Sequence, residues 1–360
     1  MPTQVAHPDI VVIGASAGGV AALRTVLGGL PRGFPATVFV VMHVAPQSPD
    51  VLAHLLDAVT PLNVATAIDG GGFRPGEVWI AAVDRHLVIE RDRMVVTRGP
   101  RENRHRPSVD VLFRSAALSH GPRAIGVVLT GMLDDGAAGL WAIKRRGGVA
   151  IVQDPADAEF PSMPQSALET VEADHCVPLR DIARRLVAAV AAPVAADPGS
   201  APTRIEQELA MATQGTSTME QLDGLGTRSS FTCPECGGAL WEMNEPPPRY
   251  RCHVGHAYGL HTLEVAQAER IEAALWASIR SLEEGQKVSE RLARHARGRG
   301  HHRSVGQYEE RAREDGAHAD TLRRMLHTLP THAGTGGNGE DVHASNDAST
   351  ASSEGAPPAA

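Results

Sequence analysis

The chain is predicted to open with a doubly wound α/β domain, a mostly parallel sheet with helices on both faces. Three observations carry this prediction. Short runs of β-branched and apolar residues alternate with helical patterns from residue 9 to about 191. Two of those runs end in small or turn-forming residues that lead into a helix, at Gly14 and at Thr130. The strand-like runs are apolar throughout, as expected of strands buried on both faces.

Residues 9–13 form the first such run, followed by a predicted helix over 20–30 that Pro31 stops. Residues 37–43 form a second buried strand, and 49–59 a helix with Val51, Leu52, Leu55, Leu56 and Val59 on one side. Residues 77–82, 86–90 and 94–97 read as short strands. Ser108 is suited to cap a helix running through 118. A buried strand over 123–130, a helix over 135–145 and a strand over 149–154 complete the pattern. The domain is set at 8–191.

A composition break follows, and residues 192–229 are assigned as a linker, rich in Ala and Pro at its start and with a short helical patch over Arg204 to Met211 before a polar stretch. Residues 230–260 carry three of the four cysteines and are expected to form a zinc-ribbon-like module. Two amphipathic helices then form a hairpin over 261–328, with Ile271, Leu275, Ser278 and Leu282 as one predicted face. The tail, 329–360, is made of Gly, Ser, Ala, Asn and Pro and is expected to be disordered.

The 360 residues carry 34 Lys and Arg against 42 Asp and Glu, a net charge of -8, which argues against nucleic acid as a partner. No run of 18 apolar residues exists, so no membrane insertion is expected, and cysteine usage fits a cytoplasmic location. Cys176 stands apart in an apolar context and is expected to be buried.

Gly14-Ala15-Ser16-Ala17-Gly18 has the form G-x-S-x-G between a strand and a helix. Such a turn lifts a serine clear of the sheet, and the helix N-terminus behind it offers free N–H groups to an oxyanion, Ala17 among them. A phosphate-binding turn is the competing reading. It is disfavoured because the glycine spacing is not G-x-G-x-x-G and the second strand ends in His43 rather than an acidic residue. A histidine there would reach the same sheet edge as Ser16 and act as base. Thr130 to Gly136 opens a further helix at that edge and contains Asp134 and Asp135. Either could orient the histidine, and either could be an ordinary helix cap.

Four runs in order, IGASAGG (13–19), MH (42–43), NRHRPSVDVLF (103–113) and VLTGMLDDGAAG (128–139), resemble the catalytic domain of the chemotaxis protein-glutamate methylesterases, the CheB family. The resemblance spans about residues 8–191. It implies a Ser16–His43–Asp135 triad, choosing Asp135 over Asp134, with no cofactor for catalysis. Its implied reaction is hydrolysis of glutamate methyl esters on chemoreceptor helices, with glutamine deamidation as a second activity. Met132 becomes a second oxyanion donor beside Ala17, and Arg104 and Arg106 become lining of the groove for the receptor helix. Departures are Ala17 for the family's threonine, Leu133 for a glycine and Val44 for a methionine. The family's N-terminal receiver domain is not expected in this chain, which leaves control to a separate regulatory protein. An adaptor without catalysis, or an esterase for another substrate, are the alternatives.

Cys233, Cys236, Cys252 and His256 form C-x2-C-x15-C-x3-H, a spacing that suits a closed, structural zinc site, with His253 as the less favoured fourth ligand.

Overall fold

The computed structural model describes residues 6–194, 203–215, 217–244 and 246–329; most of the tail that the sequence assigns as disordered therefore lies outside the described residues. In chain order the first domain contains β1 (Ile10–Ala15), α1 (Gly19–Gly28), β2 (Thr37–Met42), α2 (Leu52–Asp57), β3 (Asn63–Thr66), β4 (Glu77–Ile80), β5 (His86–Glu90) and β6 (Arg93–Thr97). It continues with α3 (Val109–His120), β7 (Ala124–Val128), α4 (Ala137–Arg145), β8 (Val149–Gln153), α5 (Ser162–Thr170), β9 (His175–Val177) and α6 (Leu179–Ala191).

Seven of these strands form one parallel sheet in the order β3-β4-β2-β1-β7-β8-β9. Period-2 alternation along β1 feeds two cores. Ile10 and Val12 pack toward α3 and α4, while Val11, Ile13 and Ala15 pack toward α1 and α6. The chain moves outward from β1 to β2 on one side and later returns to β7 on the other. This reversal opens a crevice at the carboxyl ends of β1, β2 and β7, where doubly wound sheets bind ligands. The hairpin β5-β6 stands outside the sheet and packs on α3. Cys176 lies on the edge strand β9 and is exposed, so the apolar context that suggested burial did not decide its position.

The segment 192–229 is more than a linker. It contains α7 (Thr203–Gln214) and α8 (Met219–Leu225), and α7 buries Ile205, Met211 and Ala212. Its apolar residues are few and spaced among polar ones, and they join a core only through docking: Ala212 against Val88 and against Val111 of α3, and Met211 against Leu222, Leu225, Trp241 and Met243. A four-stranded antiparallel sheet follows: β10 (Gly226–Thr232), β11 (Ala239–Met243), β12 (Arg249–Cys252) and β13 (Ala257–Gly259). The long helices α9 (Leu260–Gly298) and α10 (His302–Thr328) form the hairpin. The packed stripe of α9 differs from the predicted one, since Ile271 is exposed. Ile279, Ser289, Ala293 and Ala296 are buried instead, opposite Val305, Ala312 and Ala319 of α10. Small residues let the helices approach closely, and a search for large apolar side chains overlooks them.

The module from β10 to α9 is joined to the first domain by charge. Glu102 lies between the guanidinium groups of Arg114, on α3, and Arg251, on β12, with Arg251 Nη2 2.6 Å from Glu102 Oε1. Glu208 of α7 pairs with Arg249 (Nη2–Oε1 2.9 Å) and stands 3.8 Å from Arg251. All five side chains are buried. Burial alone raises the Glu102 carboxyl, but the charges of Arg114 and Arg251 overcome it and hold the group at about 2, below its ordinary 4.5. Because the folded value is the lower one, this contribution is complete above pH 4.5 and is lost as pH falls toward 2. Glu102→Ala leaves two buried guanidinium groups with only the Glu208 carboxylate, already paired with Arg249, at 3.9 and 3.8 Å, and is expected to destabilise the protein by about 3–5 kcal/mol in denaturant unfolding. A loss below about 1 kcal/mol, the range of exposed pairs, would show that the cluster does not hold the two parts together.

Candidate active site

Register places the first two site residues. β1 and β2 pair in parallel with Ala15 opposite Met42, and the His43 N–H continues the ladder to the Ala15 carbonyl at 3.1 Å. Ser16 and His43 are therefore the next residues out on neighbouring strands. The Ser16 N–H is fixed by the Thr130 carbonyl at 3.0 Å, which ties the serine turn to the loop after β7. Gly18 turns the chain into α1 with φ 73°. Gly131 has no room for a side chain: a methyl group there would stand 2.1 Å from the Met163 Sδ and 2.8 Å from the Ser16 Cβ.

Asp135 comes from that loop. Its Oδ2 lies 2.7 Å from His43 Nε2, and both side chains are almost wholly buried. Four further donors complete the carboxylate. The Val109 N–H reaches Oδ2 at 2.8 Å, and Asn103 Nδ2, Ser108 Oγ and the Asp110 N–H reach Oδ1 at 3.0, 2.9 and 3.1 Å. Burial pushes the Asp135 carboxyl up. The hydrogen bond and charge of His43, the charge of His105 and the Asn103 amide together pull it down further, well below the usual carboxylate range. The second ring nitrogen of His43, Nδ1, is buried without a partner among the described residues. His43 is also stacked on His105, with ring centroids 3.6 Å apart and planes within 6°. Burial, then the charge of His43, lowers His105 to about 3, so it presents a neutral ring near neutral pH.

The adjacent Asp134, the alternative that spacing left open, faces away from His43. It accepts from the His261 N–H at 3.2 Å and from the Thr262 hydroxyl, and so caps the start of α9. Asp110 caps α4 in turn, taking the Gly136 and Gly139 N–H groups at 3.0 and 2.6 Å. The Ser108 hydroxyl caps nothing and serves Asp135.

An open cleft of about 820 Å³ runs over this edge, bordered by Ser16, His43, Ala17, Met132 and Leu133. The Ala17 and Met132 N–H groups donate to no partner among the described residues. Arg104 and Arg106 both line the cleft, but each is already engaged. Arg106 holds Asp84 through Nε and Nη2 at 2.9 and 2.7 Å and the Gly99 carbonyl through Nη1, a clamp on the cleft wall rather than a free cation. Arg104 Nη2 meets Glu269 of α9 at 2.7 and 3.0 Å. Sequence reasoning placed Asn103 and His105 in the polar cluster 103–106 beside the groove, but it did not foresee the Asn103 bond to Asp135 or the His105 stack on His43, and it overlooked Glu269. The first two sit inside the run that carried the resemblance, while nothing local marks Glu269.

The second cluster lies on the ribbon sheet. The ligand atoms of Cys233, Cys236, Cys252 and His256 are all within 4.8 Å of one another. Cys236 and Cys252 sulfurs are 3.7 Å apart, and His256 Nδ1 stands 3.7 and 3.6 Å from Cys233 and Cys252. Tetrahedral zinc with ordinary bond lengths spans about 3.8 Å between sulfurs and about 3.6 Å between sulfur and nitrogen. Glu235 lies 3.3 Å from His256 Nε2, as a carboxylate orienting a metal-binding imidazole would. His253 is exposed and outside the cluster.

With this geometry in place, comparison with known proteins is decisive. The family model described as CheB methylesterase matches residues 11–186. A relative from Leptospira interrogans is 38% identical over 180 residues, 50% of this chain and 93% of the relative. This chain belongs to the CheB methylesterase family. A relative from Rhodospirillum rubrum named protein-glutamate methylesterase/protein-glutamine glutaminase 2 is 40% identical over 50% of this chain and 51% of its own length. One from Xanthomonas campestris with the same activity in its name is 41% identical over 50% of this chain and 51% of its own. The chain thus spans about half the length of most curated relatives it matches. The solved catalytic domain of Thermotoga maritima CheB methylesterase aligns with a TM-score of 0.49 at 35% identity, over 51% of this chain and 99% of that one.

Leu133, where the resemblance expects glycine, has φ 66°. The loop holds it there through its N–H to Ser162 Oγ at 2.8 Å and its carbonyl to Ser166 Oγ at 3.2 Å. A left-handed leucine costs about 1–2 kcal/mol, partly offset by glycine's larger loss of freedom on folding. Leu133→Gly is therefore expected to stabilise the protein by about 0.5–1 kcal/mol, read from the denaturation midpoint. An equal or lower midpoint would mean the side chain's packing outweighs the strain.

Proposed function

We propose that the chain hydrolyses glutamate methyl esters on protein, with Ser16 as nucleophile, His43 as base and Asp135 as its orienter. The observation that carries this reading is His43: one ring nitrogen is held by a fully bonded aspartate, and the other is unpartnered beside a cleft shared with Ser16. The activity in the relatives' names is of the class such a site performs.

In the proposed sequence, Ser16 attacks the ester carbonyl as its proton passes to His43 Nδ1. The Nε2–H bonded to Asp135 keeps the ring oriented and the imidazolium stabilised. The oxyanion is taken by the Ala17 and Met132 N–H groups, with the N-terminus of α1 behind them. Methanol departs with the proton from His43. Water then adds to the acyl-serine, gives its proton to His43 and releases glutamate and free Ser16. The same steps on a glutamine side chain release ammonia, and the second activity in those names follows from the same geometry. The partner is a methylated chemoreceptor helix. Among the described residues no helix is long and apolar enough to cross a membrane.

Methanol release from methylated receptor is expected to fall at least about 10⁴-fold in Ser16→Ala. A fluorophosphonate is expected to label the intact chain and not the variant. Turnover that survives the substitution removes Ser16 from the reaction, and neither turnover nor labelling in the intact chain leaves only an adaptor.

We also infer that Cys233, Cys236, Cys252 and His256 hold one structural zinc, since four protein ligands close the site and leave no open position. Elemental analysis is expected to find one zinc per chain, and a strong chelator to lower the melting temperature. Metal-free protein with an unchanged melting temperature would refute the site.

A further inference from the structure

The first turns of α9 are set on the catalytic domain. Asp134 caps them, and the Gly259 N–H just before them donates to Asn103 Oδ1 at 2.8 Å. From this anchorage the helix brings one residue, Glu269, to the cleft. Glu269 borders the same cavity as Ser16 and His43, and its carboxylate rests on Arg104. Arg104 is itself held with φ 68°, between Asn103, at φ 50°, and His105, which stacks on His43.

A glutamate side chain presented by a helix into this cleft has the chemistry of the substrate proposed above. We propose that Arg104 is the cleft's reader of carboxylates on the incoming protein segment, and that Glu269 of α9 is its built-in competitor. The C-terminal module then sets how strongly the site takes acidic substrates. This rests on the reading that the cleft receives a glutamyl side chain.

Exposure makes such an exchange feasible. The Arg104 and Glu269 side chains are 32% and 37% exposed, so an incoming carboxylate can reach the guanidinium while α9 stays anchored. The buried pairs around Glu102 and Glu208 hold the module in place, and the exchange needs only the Glu269 side chain to turn away. The remaining charged groups facing the cleft are Arg101 and the Arg106 that Asp84 already holds. Arg104 is thus the cation whose availability Glu269 controls.

Binding tests this without relying on turnover. Two fluorescein-labelled, Ala-rich helical peptides would be titrated into the full chain and followed by anisotropy. Each carries a central glutamate, flanked by glutamates in one and by glutamines in the other. Glu269→Gln is expected to tighten the glutamate-flanked peptide about two- to fivefold, the range an exposed ion pair supports, and to leave the glutamine-flanked one, which lacks the flanking carboxylates that Arg104 reads, unchanged. In an Arg104→Ala background the same substitution is expected to change nothing. Equal affinity in wild type and Glu269→Gln would overturn the proposal. So would a gain that persists without Arg104, which is a general charge effect, or no binding of the acidic peptide to any variant. The esterase reading stands or falls separately, on Ser16-dependent methanol release.

Discussion

The carboxylate of Asp135 is the junction on which the site depends. Five donors from four directions converge on it: the His43 ring, two backbone N–H groups opening α3, the Ser108 hydroxyl and the Asn103 amide. A buried charge is tolerable only when so satisfied, and full satisfaction also makes it rigid. The orienter of the histidine is thus the N-terminal cap of a helix far from it in sequence. Asp110 and Asp134 repeat the device for α4 and α9. Three aspartates, each capping a helix other than its own, lock the active-site loop, the helical layer and the C-terminal module together.

That arrangement links the module to the catalytic edge. Asn103 donates to Asp135 with its amide nitrogen and accepts the Gly259 N–H with its oxygen, and β13 meets residues 101–103 through the Asn103 N–H on the Ala257 carbonyl and the Ala257 N–H on the Arg101 carbonyl. The Glu102 and Glu208 clusters support the same boundary with buried charge. Removing one partner from such clusters is costly even where the whole cluster adds little net stability. The ribbon sheet, with its cluster of three cysteines and a histidine, is therefore part of the scaffold behind Ser16, His43 and Asp135, and α9 leaves it to bring Glu269 to the border of the cleft.

Much of the first domain was legible because its signals are local. Continuous apolar runs mark β1, β2, β7 and β8, and the G-x-S-x-G turn lies between a strand and a helix, as its chemistry requires. The short edge strands β3 and β9, with exposed and polar positions, carried no such signal. Small residues on α9 hid its packed face, and α7 was legible as a helical patch while the burial of its few apolar side chains, which depends on distant elements such as α3, α8 and β11, was not.

By itself the sequence determined the α/β class, the serine turn, the histidine at the end of the neighbouring strand and the cysteine spacing. Each is set by residue type and separation along a few residues, where local backbone geometry suffices. Tertiary structure decided which of two adjacent aspartates faces His43, which ring nitrogen remains unpartnered, and what Arg104 and Arg106 hold. Those choices depend on where segments distant in the chain meet, at Val109, Asn103, Asp84 and Glu269, and no local pattern encodes such meetings.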